Sequence, residues 1–343
     1  MKHPIAIDLF AGSGGLTLGL KQAGFRVIGA IEIDPLAAET YRFNHSSTKI
    51  WEKDIRKVRI IELMKSLKIK KGELDLLAGC PPCQGFSTLR TLNGNQQIKD
   101  PRNSLIFEFI RFVKQMKPKT ILLENVPHLA KDKDFEILGK GLEKLGYSWN
   151  WKILNASDFG VPQRRQRLIL LAGLNGNLNF KTSKCKSQTV RKTIDHLPPA
   201  GNSGDPLHDL CEKRSLLVRN RIKLIPQNGG SRKSLKEEYQ LACHKKGTGF
   251  KDVYGRMSWD KVSPTITGGC INPSKGRFLH PSKNRAITLR EAALLQSFPR
   301  NYYFSLRRGK HAAAILIGNA LPPKFVKYHG LGIKEYLTKI KGP

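Results

Sequence analysis

Short apolar runs alternate with amphipathic segments through the first half of the chain. Residues 16–24 have the periodicity of an amphipathic helix, and residues 104–116 are apolar almost all round, which predicts a buried helix. Strands that alternate with helices are typical of a doubly wound sheet. The sequence therefore predicts an α/β fold with a mostly parallel sheet. Its predicted strands lie at 4–10, 25–34, 74–79, 120–126 and 167–173.

The pattern changes in the middle of the chain. Residues 174–250 are rich in Asn, Gly, Ser, Lys and Pro, which are typical of turns and loops. Their periodicity is weak, apart from a predicted helix at 212–225. This segment is therefore predicted to form a separate and more irregular unit.

Helical periodicity returns near the C-terminus, at 289–298 and 324–340. We predict that residues 1–182 and 300–343 together form the larger α/β domain. Residues 183–299 would then be an insertion that contains the irregular domain and its hinge.

The amino-acid composition is strongly basic. The 343 residues include 60 Lys and Arg against 27 Asp and Glu, a net charge of +33. Such a charge favours a polyanionic partner, because each neutralised phosphate releases counterions. The alternative is a lysine-rich, solvated surface. The sequence has no secretory leader and no apolar run of bilayer length, so we expect an intracellular protein without membrane contact.

A glycine turn follows the first predicted strand. Gly12 and Gly14 would let a ligand approach the backbone closely, because glycine carries no Cβ. Thr17 stands where the dinucleotide-binding fingerprint has its third glycine, so the turn matches a pyrophosphate site poorly.

Acidic residues follow at the distance where they can bind a ribose. Glu32 and Asp34 end the second predicted strand, and Asp54 could face an adenine amino group. A nucleoside without a pyrophosphate describes S-adenosylmethionine. The alternative is a structural turn with acids that cap the strand end.

Two cysteines form a C-x-x-C pair. Cys80 and Cys83 directly follow the strand predicted at 74–79. Zinc needs about four ligands, and the other cysteines form no second pair, so we expect no metal. A redox pair would open a helix inside a small redox domain, and residues 81–87 offer no comparable helix start. A nucleophilic thiolate and an inert buried cysteine both remain open.

A carboxyl and two guanidinium groups lie near the ends of the neighbouring predicted strands. Glu124 lies near the end of one strand, and Arg165 and Arg167 stand at alternate positions where the next one begins, which predicts that both arginines point to one face. Ligands of open α/β sheets bind at the carboxyl ends of the strands. The sequence therefore predicts a site that combines Cys, Glu and Arg.

These blocks, in this order, resemble the C5-cytosine DNA methyltransferase family. The resemblance covers residues 5–173 and roughly 252–330, whereas 175–250 contains no assigned motif. It implies a Rossmann-like, S-adenosylmethionine-dependent catalytic domain and a smaller target-recognition domain. The matching blocks are DLFAGSGGL (8–16), EID (32–34), GCPPCQGFS (79–87), ENV (124–126), QRRQR (163–167), RAITLREAALLQSFP (285–299) and GNALPP (318–323).

The resemblance also implies catalytic roles. Cys83 would add to C6 of a cytosine that is flipped out of the duplex, while Cys80 would be a bystander. Glu124 would hold N3 of that cytosine, and Arg165 and Arg167 would contact the base and its phosphate.

The implied cofactor is S-adenosylmethionine, and no metal is implied. Its pocket would be formed by residues from both ends of the chain, with Asn319 and Ala320 closing it. The implied cofactor-binding residues are Phe10, Gly12, Gly14, Glu32, Asp34, Asp54, Asn319 and Ala320.

The implied partner is double-stranded DNA with a specific target sequence. We expect a monomeric modification enzyme in the cytoplasm of a prokaryote, associated with the nucleoid and paired with a cognate restriction endonuclease. The alternatives are a tRNA cytosine-5 methyltransferase, a catalytically inactive DNA-binding module and a nicotinamide oxidoreductase. The RNA-directed branch typically carries a Cys-Phe-Thr element, which this sequence lacks.

Overall fold

The computed structural model describes most of the chain. The described residues are 3–82, 105–174, 176–181, 185–210, 212–241 and 252–341. Cys83 therefore lies outside the described residues. Within them, no helix combines the length and the apolar character that a membrane crossing requires.

Within the described ranges, seven strands form one sheet in the order β3-β2-β1-β4-β5-β7-β6. β1 to β5 pair in parallel, and β7 pairs antiparallel with both β5 and β6. The prediction of an α/β fold with a mostly parallel sheet is confirmed. The strands are β1 (Ile5–Leu9), β2 (Arg26–Glu32), β3 (Lys49–Glu52), β4 (Leu76–Gly79), β5 (Thr120–Asn125), β6 (Ser148–Asn155) and β7 (Gln166–Gly173).

Helices cover both faces of this sheet. Ile7 and Leu9 of β1 belong to a core cluster shared with the helices that follow β3, β4 and β5. Asp8, which lies between them, hydrogen-bonds a residue of the helix that follows β1, because successive side chains of a strand point to opposite faces. The helices described are α1 (Gly15–Gln22), α2 (Pro35–Asn44), α3 (Ile60–Leu67), α4 (Leu105–Met116), α5 (Lys133–Lys144), α6 (Val190–Ile194), α7 (Pro206–Asp209), α8 (Leu216–Leu224), α9 (Leu289–Leu295), α10 (Gly309–Asn319) and α11 (Pro323–Lys341).

The chain divides into two compact units. The first unit holds the whole sheet, and the second contains the irregular middle of the chain with α6 to α10. The sequence placed the domain boundaries near 182 and 300, whereas the second unit extends to Ala320. The first unit is Met1–Asn155, Gln166–Lys184 and Leu321–Pro343, and the second is Ala156–Arg165 and Cys185–Ala320.

The C-terminal helix packs on the first helix of the sheet unit. A Cβ on Gly19 of α1 would lie 2.4 Å from the carbonyl oxygen of Pro323 and 2.5 Å from Cβ of Val326, both in α11. Only glycine allows this approach, because a real Cβ does not tolerate such distances. The last helix thus braces the helix that begins directly after the glycine turn.

A buried arginine organises part of the second unit. The side chain of Arg256 is fully buried and donates to the carbonyl oxygens of Ile222, Ile225 and His280 at 2.9 to 3.0 Å. It also donates to Oδ1 of Asn284 at 2.6 Å. Because the guanidinium offers five donors in a fixed fork, one side chain joins several loops of a unit that has few regular elements.

Candidate active site

The glycine turn after β1 has left-handed backbone at three positions. The φ angles of Phe10, Gly12 and Gly14 are 60°, 54° and 89°. A Cβ on Gly12 would meet no heavy atom within 4 Å, so the backbone angle demands glycine there and the space beside the turn stays open. Phe10 adopts such an angle without being a glycine, a form of strain that tends to occur at ligand sites.

Glu32 ties this turn to the end of β2. Its carboxylate accepts hydrogen bonds from the backbone N–H groups of Gly12 at 2.7 Å, Ile33 at 2.9 Å and Asp34 at 2.8 Å. Burial raises the pKa of the Glu32 carboxyl, while these donors oppose the rise. A carboxylate has about four acceptor positions, so Glu32 retains capacity for a ligand hydroxyl.

Asp34 and Asp54, the other two acidic residues predicted to bind the cofactor, make hydrogen bonds to residues close to them in the chain. Asp34 accepts from the backbone N–H of Leu36 at 3.0 Å and so caps α2. Asp54 accepts from the guanidinium of Arg56, with 2.5 Å between Oδ2 and Nη2, and this contact lowers the pKa of Asp54. Their predicted contacts with a ribose and an adenine stay predictions.

A buried network lies beneath the turn, and sequence analysis missed it. The hydroxyl of Thr17 donates to Oδ2 of Asp8 at 2.7 Å and lies 2.8 Å from the hydroxyl of Tyr41. His45 packs on the ring of Tyr41, and its Nε2 lies 3.1 Å from the carbonyl oxygen of Gly14. The signal in the sequence was Thr17 itself, which replaces a glycine of the dinucleotide fingerprint with a hydrogen-bonding side chain.

Cys80 directly follows β4, and its thiol has a raised pKa. Burial raises the pKa of its thiol well above the usual value, and the neighbouring carboxylates of Glu124 and Asp8 raise it further. A thiol held in its protonated form is a poor nucleophile. This observation supports the predicted bystander role of Cys80. Cys83, the predicted nucleophile, is outside the described residues.

Glu124 is held by an arginine of the neighbouring strand. The carboxylate lies on β5 and is 8% exposed, and its Oε1 is 2.7 Å from Nε of Arg167 on β7. β5 and β7 are antiparallel, and Asn125 is paired with Leu168, which brings Arg167 to the carboxyl end of β5. The structure therefore brings together two of the predicted catalytic side chains.

Asn125, beside Glu124, holds the loop that leads to Cys83. Its Nδ2 donates to the carbonyl oxygen of Pro81 at 3.0 Å, and its Oδ1 accepts from the N–H of Val126 at 2.8 Å. The ENV block is recognisable in the sequence, but only its glutamate has a predicted role there. The missed role depends on which way the amide of Asn125 points, which the sequence does not reveal.

Arg165 lies in the second unit, just before β7 begins at Gln166. It is 3% exposed and donates to the carbonyl oxygens of Ile266 and Gly318 at 3.0 and 3.1 Å. A Cβ on Gly318 would lie 2.1 Å from the carbonyl carbon of Thr267, so these segments pack without room for a side chain there. The structure thus places Arg165 among backbone carbonyls, and its predicted contact with the base stays a prediction.

Asn319 and Ala320 also belong to the second unit, at the end of α10. Asn319 is exposed, and the carbonyl oxygen of Ala320 accepts from Nε2 of Gln296 at 3.3 Å. Gln296 also donates to the carbonyl oxygen of Ile317 at 2.7 Å. Gln296 thereby fixes the backbone around these two residues, whose role in closing the cofactor pocket stays a prediction. Among the residues that the structure describes, no group of three or more His, Cys, Asp or Glu could hold a metal.

Comparisons with known proteins agree on one family. The family model described as C-5 cytosine-specific DNA methylase matches residues 5–335. The Type II methylase M.HgiDII of Herpetosiphon aurantiacus is 36% identical, over 96% of this chain and 95% of its own length. The Type II methyltransferase M1.HphI of Haemophilus parahaemolyticus is 34% identical, over 92% of this chain and 83% of its own length.

A solved structure has the same fold over nearly the whole chain. It is an E. coli protein encoded within a prophage and described as a DNA modification methyltransferase. The TM-score is 0.71 and the identity is 25%, over 97% of this chain and 99% of that one.

Proposed function

The chain belongs to the family of C-5 cytosine-specific DNA methylases, and we propose that it methylates C5 of a flipped-out cytosine within a specific duplex sequence through a covalent adduct of Cys83. The observation that carries the proposal is the Arg167–Glu124 pair at the carboxyl end of β5, beside the Asn125–Pro81 contact that holds the approach to Cys83. Both features lie at the sheet edge where α/β proteins bind their ligands.

S-adenosylmethionine is the cofactor that the family implies, and the residues of the first unit fit it. The turn at Gly12 is open to a ligand, and the carboxylate of Glu32 retains acceptor capacity for ribose hydroxyls. When bound, this cofactor supplies an electrophilic methyl group. Phe10, Gly14, Asp34 and Asp54 would line the same pocket, and Asn319 and Ala320 are the further cofactor-binding residues of this proposal.

Each protein group has a defined task in the proposed reaction. The thiolate of Cys83 adds to C6 of the cytosine, which makes C5 electron-rich enough to accept a methyl group. N3 takes up a proton as the thiolate adds, and Glu124 holds the protonated N3 as an acceptor and so stabilises the adduct. Once C5 carries the methyl group, a base takes up the C5 proton, the C6–S bond breaks to release the Cys83 thiolate, and the aromatic ring is restored. The base must leave the stack for this chemistry, at a cost of about a few kcal/mol.

The two arginines have different tasks in this proposal. Arg167 orients Glu124 through their ion pair and contacts the target base or its phosphate. Arg165 contacts the base from a site where backbone carbonyls already fix its guanidinium. Basic side chains elsewhere offset the cost of base flipping by binding phosphates, which is consistent with the net charge of +33.

The biological setting is proposed from the relatives. M.HgiDII and M1.HphI are named as Type II enzymes, so we place this chain in a restriction-modification system with a cognate endonuclease. It would act as a monomer on double-stranded DNA in a prokaryotic cytoplasm, close to the nucleoid.

A transfer assay tests this function directly. The purified protein is incubated with methyl-labelled S-adenosylmethionine and with either duplex DNA of mixed sequence or total tRNA. We expect label in DNA and none in tRNA, and bisulfite mapping should place 5-methylcytosine in one short recurring sequence. Labelling of tRNA alone would identify the RNA-directed enzyme. Label in neither substrate, with DNA binding retained, would identify an inactive binding module.

A further inference from the structure

The second unit contains a cavity with no assigned role. It has a volume of about 310 Å³, at the lower end of the range of about 300 to 1,000 Å³ that is typical of small-molecule sites. Its walls come mainly from α7 and the residues on either side of it, from α8 and from residues 284–289. All of these segments belong to the second unit, so the cavity is complete without the sheet.

The acidic groups in and behind its wall are already engaged. Asp209 accepts from the backbone N–H groups of Gly201 and Ser203 at 2.9 Å. Glu212 accepts two hydrogen bonds from Arg214, at 2.6 and 2.8 Å. These partners neutralise or satisfy the carboxylates, so the wall offers little acceptor capacity to a ligand.

Two donors in the wall are not engaged in this way. Arg219 of α8 is exposed and forms no ion pair with any residue that the structure describes. Asn284 presents its Oδ1 to Arg256, which can only donate, so its Nδ2 amide is left as a donor. A positive charge and an amide donor, without an available acceptor, select an anionic ligand.

The floor of the cavity is apolar. Leu207, Ile222 and Ile287 line it and are each less than 5% exposed. A small inorganic anion would leave this surface uncovered. A phosphate attached to a sugar and a base would cover it.

We propose that this cavity binds a nucleotide, with Arg219 and Asn284 donating to its phosphate and the apolar floor packing against its sugar or base. The phosphate has two sources: a nucleotide of the duplex substrate, which rests on the proposed function, or a free mononucleotide, which does not. Both present the same anionic group on an apolar body of suitable size.

A charge-matched pair of variants tests the site. Arg219→Gln removes a cation that lines the cavity, and Lys223→Gln removes an exposed cation from the same helix that does not line it. Both side chains are exposed, so both variants should fold, and unfolding midpoints would check this. Asn284→Asp keeps the acceptor for Arg256 but replaces the free donor with a negative oxygen.

The variants are compared in two binding experiments. Calorimetric titration with AMP and with TMP measures free nucleotides, and fluorescence anisotropy over a range of KCl concentrations measures duplex DNA. If the cavity binds one of these two ligands, Arg219→Gln should weaken binding of that ligand about tenfold. Asn284→Asp should weaken it at least as much. For DNA, the slope of log Kd against log salt should also decrease by about one. Lys223→Gln should show neither change.

The outcomes separate this inference from the proposed function. A selective loss with Arg219→Gln in either experiment supports the site and identifies the source of the phosphate. If Arg219→Gln and Lys223→Gln behave alike in both experiments, the site is overturned even if the enzyme methylates DNA. If the wild type does not bind DNA, the proposed function fails, while the mononucleotide titration still decides the site.

Discussion

The guanidinium of Arg167 pairs with the carboxylate of Glu124, with 2.7 Å between Nε and Oε1, and both side chains are largely buried. The contact joins β5 to its antiparallel neighbour β7 at the edge where the proposed chemistry takes place. A buried carboxylate that receives such a donor is fixed in orientation. Arg167 is therefore a positioning residue for Glu124, in addition to any contact that it makes with DNA.

Loss of the Arg167–Glu124 ion pair should lower kcat more than the loss of one exposed charge does. Arg167→Gln leaves the carboxylate of Glu124 without its cation, which costs about 2 kcal/mol or more for a buried pair. We expect kcat to fall about 30-fold, whereas the dissociation constant for S-adenosylmethionine stays close to that of the wild type. Steady-state kinetics and cofactor titration measure the two quantities.

Arg164→Gln is the matched control, because Arg164 is an exposed arginine in the same block. It should keep nearly full kcat. Equal losses of kcat in the two variants would show that the charge of the block, rather than the Arg167–Glu124 contact, matters for catalysis.

The centre of the sheet could be predicted from the sequence, but its edges could not. β4 and β5 are buried along their whole length and appear in the sequence as continuous apolar runs. β3 has only four residues, and β6 is an edge strand with Trp151 and Ile153 partly exposed, so neither gives a clear periodic signal. Their pairing depends on neighbours that are distant in the chain.

The candidate site was predictable as a set of residue types but not as a set of contacts. Spacing placed Arg165 and Arg167 on one strand face, yet β7 begins between them, and their hydrogen bonds lie in different units. The contacts Thr17–Asp8 and Asn125–Pro81 join residues whose side-chain directions appear only after folding.

The two cysteines of the C-x-x-C pair should differ sharply in their contribution to catalysis. Cys83→Ser should abolish methyl transfer, because a hydroxyl is a far weaker nucleophile than a thiolate. Cys80→Ser should retain most of the activity, because the raised pKa of Cys80 keeps that thiol protonated. Transfer of labelled methyl groups to DNA measures both effects.

Trapping on DNA that contains 5-fluorocytosine adds a direct readout of the adduct, because fluorine blocks the elimination step. The wild type and Cys80→Ser should form a complex that survives denaturation, and Cys83→Ser should not. A stable complex with Cys83→Ser but not with Cys80→Ser would reverse the assignment of the nucleophile.

Asn125 should affect the chemical step without affecting cofactor binding. Asn125→Ala removes the donor to the carbonyl oxygen of Pro81, two residues before Cys83. Loss of one buried hydrogen bond costs about 1 to 1.5 kcal/mol, so kcat should fall about tenfold if the loop position limits the reaction. The dissociation constant for S-adenosylmethionine should stay unchanged.

Asn150→Ala provides the comparison, because its amide makes the same kind of bond, to the carbonyl oxygen of Leu178 at 3.1 Å, on the edge strand β6. It should leave kcat unchanged. A tenfold loss in both variants would indicate a general loss of stability rather than a positioning role for Asn125.

The buried carboxyl of Asp8 should make stability depend on pH near neutrality. Burial raises the pKa of Asp8 from 3.8 to about 7, and the hydroxyl of Thr17 only partly offsets this. The folded state therefore binds a proton that the unfolded state releases between pH 4 and 7. The stability that the protonated Asp8 contributes is fully present below pH 4 and is lost as the pH rises through about 7. The total loss in unfolding free energy is roughly 4 kcal/mol at most.

Asp8→Asn removes this titration while it keeps an oxygen that can accept from Thr17. The wild type should therefore lose stability relative to Asp8→Asn as the pH rises from 4 to 7. Above pH 7 the difference between the two unfolding free energies should level off. Urea denaturation at several pH values measures it. Thr17→Val serves as the comparison, because it removes a donor to the ionised carboxylate, which raises the pKa of Asp8 further and extends the loss of stability to higher pH. If Asp8→Asn leaves the pH dependence unaltered, Asp8 is ionised throughout and another group must compensate its buried charge.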